Sequence, residues 1–249
     1  MNRKASLSLA SVMFATGLLG CTPSGGATES SGVSSARDTT APATVQPTAE
    51  APRTMPSPAA PVDKAEVGKA ELGKPAPSFT LQDETGKPVS LDTFKGKVVV
   101  LEWFNPDCPF VKASHERGSM KAAMKKAADQ GAVWIAINSA ASGKQGHGAA
   151  RNVEAKKQWS LGHPVLMDES GTVGRAYGAQ RTPHMYVIDG SGVLVYAGAI
   201  DNSPDGERGS PKDGKMVSHV EEALDDVAAK RAIRVQSTEA YGCSVKYGS

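Results

Sequence analysis

Cysteine is scarce in this chain: 249 residues hold three, Cys21, Cys108 and Cys243. No two lie close enough for a C-x-x-C dithiol motif or for the ligand spacing of a zinc site. Charge of one sign is also missing. With 28 basic against 26 acidic side chains, the chain carries no electrostatic footprint for nucleic acid, which removes that class of partner. No internal repeat is visible. The glycine-rich stretch Ser139 to Gly148 lacks the Gly-Lys-Ser/Thr order of a phosphate loop and reads as a flexible surface loop. Asp201-Asn-Ser-Pro-Asp-Gly-Glu207 lacks the spacing of a calcium loop and reads as a solvated turn. No cofactor is expected.

What is present begins with an export signature. Asn2-Arg3-Lys4 form a basic n-region, and Ala5 to Leu19 an apolar stretch that ends in small residues and is too short to span a membrane. Leu18-Leu19-Gly20-Cys21 resembles the bacterial lipobox, in which the signal is cut before a cysteine that is then acylated. Residues 1–20 are therefore expected to be a lipoprotein signal peptide, and Cys21 the lipidation site. Thr22 rather than Asp follows it, which resembles the outer-membrane address of Gram-negative lipoproteins. The expectation is a cell-envelope protein held by N-terminal lipid on the periplasmic face of the outer membrane. An ordinary free thiol after a conventional cleavage site is the alternative.

Residues 21–67 are dominated by Ser, Thr, Ala, Pro and Gly. Such a stretch cannot bury enough apolar surface to offset the entropy of ordering, so it reads as a disordered tether. Its prolines favour extended conformations. From residue 68 to 249 the rhythm is that of an α/β domain. Val98 to Phe104 is a β-branched run of the kind buried on both faces of a sheet. Beyond Cys108-Pro109 a helix is expected to about Gln130, stopped by Gly131. Ala132 to Ile137 and Pro164 to Met167 read as further strands, separated by a helix through Trp159. Asp189-Gly-Ser-Gly192 is a hairpin signal between Met185–Ile188 and Val193–Ala197. Ser218 to Ala229 reads as a last helix, and Arg231 onward as a tail.

Cys108 is the candidate reactive group. A thiol at a helix start, followed by Pro109 where no N–H is needed, faces unsatisfied amides and the positive end of the helix dipole. That position favours the thiolate, the nucleophilic form. Lys112, one turn on, could add a favourable charge or be a plain solvated lysine. The competing reading of Cys108 is a buried, inert thiol.

Four segments in order carry a family resemblance: Trp103-Phe-Asn-Pro-Asp-Cys-Pro-Phe-Val111, Arg181-Thr-Pro-His-Met-Tyr-Val-Ile-Asp189, Val195-Tyr-Ala-Gly-Ala-Ile-Asp201 and Tyr241-Gly-Cys-Ser-Val-Lys-Tyr247. Together they resemble peroxiredoxin-like redoxins, related to alkyl hydroperoxide reductase and thiol-specific antioxidant proteins. The resemblance implies a thioredoxin-like fold, with a central mixed sheet flanked by helices. It also implies that Thr182-Pro183 is the cis-proline loop that lies against the active cysteine. His184 could then serve as a base or ligand if its side chain faces the site.

The pattern also departs from the family. If Cys108 is the first cysteine of C-x-x-C, Val111 stands where its partner would be; if it is the second, Asn105 stands where the first would be. Peroxiredoxins carry a Pro and a Thr or Ser at the positions of Leu101 and Asn105. Once Cys21 is acylated, Cys108 and Cys243 are the two remaining thiols in a compartment where disulfides persist. Cys243 on a mobile tail is thus the candidate resolving thiol, or else half of a permanent staple. The function expected is an extracytoplasmic thiol-dependent oxidoreductase, an antioxidant acting on peroxide or on protein disulfides and thiols with an unidentified reductant. The alternatives are a soft-metal-binding module using Cys108, Cys243 and His184 or His115, or a redox-inactive scaffold.

Overall fold

The computed structural model describes residues 68–249. The expected signal peptide, Cys21 and the tether lie outside the described residues. Among the described residues no helix is long and apolar enough to cross a membrane.

The sheet is built around β3 (Val99–Trp103), whose five residues are all buried. Alternation along a strand sends neighbouring side chains to opposite faces. Val99, Leu101 and Trp103 join a core with Phe79, Ile135, Ile137, Tyr177 and Tyr186. Val100 joins the other core, with Met120, Trp134, Val187, Tyr196 and Leu224. Seven strands run in the order β2-β1-β5-β4-β3-β7-β8. They are β1 (Thr80–Asp83), β2 (Pro88–Ser90), β3, β4 (Val133–Asn138), β5 (Val165–Met167), β7 (His184–Ile188) and β8 (Leu194–Gly198). β4 lies parallel to β3 and to β5, whereas β7 is antiparallel to β3. The mixed sheet and the thioredoxin-like arrangement agree with the sequence reading.

The hairpin of β7 and β8 turns on Asp189, whose Oδ1 accepts from the amides of Ser191 at 2.9 Å and Val193 at 3.0 Å. Helices α3 (Ala149–Trp159) and α4 (Thr172–Tyr177) follow β4 and β5, and α5 (His219–Ala228) packs with α2 against the Val100 face. The helix expected from Pro109 to Gln130 is two helices, α1 (Pro109–Glu116) and α2 (Met120–Asp129). Between them lies Gly118, where a Cβ would fall 2.3 Å from the Gly206 carbonyl oxygen and 2.6 Å from Ser114 Cα, so glycine is what lets the 201–208 segment pass this close.

That segment is not the solvated turn expected of it. Asp201 is buried. It accepts from the Ser119 hydroxyl, from Ser203 N at 2.9 Å and from Tyr241 Oη at 2.8 Å, which ties the start of α2 to the tail. The tail itself is stitched down along its length. Its 236–238 stretch runs along β8, with Ala197 N donating to Gln236 O at 3.0 Å and Thr238 N to Ala197 O at 3.3 Å. Farther on, β9 (Cys243–Ser244) pairs antiparallel with β6 (Arg181–Thr182) in a second, two-stranded sheet.

Candidate active site

The turn before α1 is held from both sides. Asn105 Oδ1 accepts from Asp107 N at 2.9 Å, and Cys108 N donates to Asn105 O at 3.1 Å. Asn105 Nδ2 donates to Gln145 O, and Gln145 Nε2 to Asp107 O, both at 3.0 Å. Arg151 on α3 completes the clamp, with Nε 2.7 Å from Asp107 Oδ1 and Nη2 3.1 Å from Pro106 O. The 139–148 stretch therefore braces the cysteine turn, where the sequence suggested a flexible surface loop. Gly146 is buried against Asn105, and a Cβ there would sit 2.2 Å from its Oδ1.

Cys108 is the N-cap of α1, with extended backbone and Pro109 in the first turn. Its placement agrees with the sequence; its accessibility does not. The residue is 0% exposed and packs with Phe104, Val111, Ala136 and Trp159. The thiol donates to the Thr182 carbonyl at 3.0 Å. The Thr182-Pro183 bond is cis, as the family resemblance implied.

Cys243 arrives at Thr182 as well, on the paired strand. β9 sets Cys243 opposite Thr182, and Cys243 packs against the buried cluster that holds Cys108. Both are free. The backbone N–H of Phe110, in the first turn of α1, favours the charged form of the Cys243 sulfur. Burial, then the adjoining Cys108 thiol, pushes the Cys243 thiol up to about 11, with Lys246 and the Phe110 amide opposing. The expected mobile tail is corrected here. Val245 N donates to Gln180 O at 3.1 Å, Ala141 N to Lys246 O at 2.9 Å, and Tyr247 Oη to Ala179 O at 2.8 Å. Cys243 needs no long excursion to meet Cys108.

The histidines do not join the sulfurs. His184 Nδ1 accepts from Gln180 N at 3.4 Å and lies 3.2 Å from Tyr186 Oη. Burial holds its imidazole down at about 4. His115 Nε2 is 2.8 Å from Glu102 Oε1, both side chains fully buried, and its ring stacks on Trp159 at 5.0 Å. Trp134 Nε1 donates to the other Glu102 oxygen at 3.1 Å. Burial works against the Glu102 charge, but the His115 charge and hydrogen bond outweigh it and hold the carboxyl below the usual range. Sequence reasoning passed over this pair, although one acidic residue inside the apolar Val98–Phe104 run was a signal for it. Lys112 is exposed. Among the described residues no three His, Cys, Asp or Glu side chains converge as a metal site.

Residues 71–213, more than half of the chain, match the Redoxin family. The chain belongs to that family. Peroxiredoxin Q, chloroplastic, of Oryza sativa subsp. japonica is 31% identical to this redoxin over 128 residues, 49% of this chain and 55% of that protein. Thiol-disulfide oxidoreductase ResA of Bacillus thuringiensis is 31% identical over 120 residues, 48% of this chain and 65% of that one. The redoxin thus spans between about half and two thirds of these relatives' lengths. A hypothetical protein from Sinorhizobium meliloti superposes with a TM-score of 0.60 at 28% identity, covering 75% of this chain and 100% of the other. An uncharacterized conserved protein from Geobacillus kaustophilus gives 0.61 at 28% identity, covering 74% and 96%. The redoxin is therefore a peroxiredoxin-like protein of thioredoxin fold.

Proposed function

We propose that the protein is an extracytoplasmic thiol-dependent oxidoreductase in which Cys108 is the nucleophile and Cys243 the resolving thiol. Cys243 packs against the Cys108 cluster at the start of α1 and pairs with Thr182, whose carbonyl takes the Cys108 thiol beside the cis Thr182-Pro183 bond, and this convergence is the observation that carries the reading. The names of the relatives, a peroxiredoxin and a thiol-disulfide oxidoreductase, support the same chemistry. With a peroxide ROOH, the Cys108 thiolate takes the terminal oxygen, ROH leaves, and the sulfur becomes a sulfenic acid. The Cys243 thiol then condenses with it, releasing water and leaving a Cys108–Cys243 disulfide. With a protein disulfide, Cys108 attacks one sulfur, and Cys243 releases the mixed disulfide by exchange. An external dithiol returns both groups to thiols. Thr182-Pro183 shapes the groove for either substrate.

The test is oxidation with hydrogen peroxide or a model disulfide, followed by peptide mass mapping and turnover with a dithiol. A Cys108–Cys243 linkage should form and be reducible, and Cys108→Ser should lower turnover to background. Retained turnover in that variant excludes the role. A redox-inactive scaffold is the second reading, favoured by the full burial of Cys108. Both thiols reacting no faster than free cysteine would decide for it.

Export and acylation at Cys21 would hold this chemistry at the periplasmic face of the outer membrane. Cys21→Ser should move the protein from the membrane fraction to the soluble one. An unchanged distribution rules out the lipid anchor.

A further inference from the structure

On the reading of Cys108 and Cys243 as a redox couple, we propose that Gly242 is the positioning residue of that couple, and that the seat it makes against Thr182 also shuts Cys108 from solvent. Three observations meet at this residue. Its φ is +111°, a conformation that L side chains rarely adopt. A Cβ there would fall 2.2 Å from the Thr182 carbonyl oxygen, 3.0 Å from its carbonyl carbon and 3.4 Å from Phe110 Cβ. That oxygen is the one that takes the Cys108 thiol at 3.0 Å. Residue 242 therefore lies flush against both elements that frame Cys108, β6 on one side and α1 on the other.

Cys243 is the next residue, and it packs against the Cys108 cluster from a backbone that comes this close to Thr182 and Phe110. A disulfide tolerates little variation in span, with Cβ atoms about 3.5–4.5 Å apart. A methyl group at position 242 would lift the strand by roughly an ångström, a displacement that costs about 100-fold where reacting atoms must be aligned. The same lift would uncover Cys108. Apposition of the sulfurs and closure over the nucleophile are two consequences of one side chain that is missing.

The experiment uses the full chain with oxidised glutathione. Cys108 thiolate attacks the glutathione disulfide, forming a mixed disulfide and releasing one glutathione. Cys243 then attacks the Cys108 sulfur, closing the intramolecular disulfide and releasing the second. In Gly242→Ala the closing step should slow about 100-fold, so that glutathione accumulates on Cys108. Alkylation of Cys108 in the reduced variant should quicken by at least about tenfold as the closed state loses its hold. Tyr247→Phe, which removes one tail hydrogen bond and leaves the seat untouched, should match the wild type in both measurements.

Wild-type closure in Gly242→Ala overturns the proposal, as does an equal loss in Tyr247→Phe or an unfolded Gly242→Ala by circular dichroism. Should the wild type form no Cys108–Cys243 disulfide, the redox reading fails. The alkylation comparison then still decides for or against the seat.

Discussion

The start of α1 and the tail each bring a cysteine to Thr182, but they hold it by different means. Cys108 is fixed by secondary structure and packing: it caps a helix, follows a turn closed by Asn105, and is fully buried in an apolar cluster. Cys243 is half-buried on a strand that pairs at two positions, and its place depends on contacts distant in sequence. Those contacts are Tyr241 to Asp201, Gly242 against Thr182, Val245 to Gln180 and Tyr247 to Ala179. The nucleophile thus sits in local order that distant contacts brace, and its partner is placed by tertiary stitching alone. A segment held in the second way is the one expected to open first, because the free energy of local opening follows how much apolar contact and hydrogen bonding a segment would lose.

The largest effect should come from the region that fixes Cys108. Glu102 on β3 and His115 on α1 form a fully buried pair, which pins the nucleophile's helix to the central strand. Glu102→Ala leaves the imidazole and the Trp134 N–H without their acceptor, and breaking a buried pair costs about 3–5 kcal/mol. Urea unfolding should show that loss. Replacing both partners by leucine should recover most of it, since the desolvation penalty disappears with the charges. A loss below about 1 kcal/mol in Glu102→Ala would mean that α1 is held by apolar packing alone.

This contrast also explains what could be read in the sequence. The β3 run, the hairpin at Asp189 and the cysteine at a helix start are local patterns, and the structure bears them out. Thr182-Pro183 was legible through the family's order of segments, because a cis bond leaves no local pattern of its own. The tail was misjudged because nothing in Tyr241-Gly-Cys-Ser-Val-Lys-Tyr247 states what it rests on. Its anchors, Asp201 and the Gln180 and Ala179 carbonyls, lie dozens of residues away. Asp201 was read as solvated for the same reason: a carboxylate beside Asn, Ser and Pro reads as a turn until its donors are placed around it. The helix break at Gly118 is a further case. A glycine inside a helical pattern is tolerated in many chains, and the close passage of the 201–208 segment that requires this one is not written in the local sequence.

The smallest effect concerns the point where the tail leaves α5, and it sharpens the comparison by pH. Asp226 is buried at the end of that helix. It accepts from Arg231 Nε at 2.5 Å, Arg234 Nε at 2.9 Å and Arg234 N at 2.9 Å. Burial opposes its charge, but the hydrogen bonds from Arg234 and Arg231 prevail and hold the carboxyl at about 2, below its ordinary 3.8. A carboxyl depressed in the folded state binds its proton more readily when unfolded. Its stabilisation is therefore complete above about pH 4 and is lost as the pH falls toward 2. Because both guanidinium side chains are about half exposed, at 49% and 53%, screening keeps the contribution near the top of the surface range, about 1 kcal/mol. Asp226→Asn should be less stable than the wild type by that amount at pH 7, and the two urea midpoints should converge below pH 3. A constant difference across this interval would mean that the staple acts by shape rather than charge, and that the tail's first turn is held as α1 is, by packing.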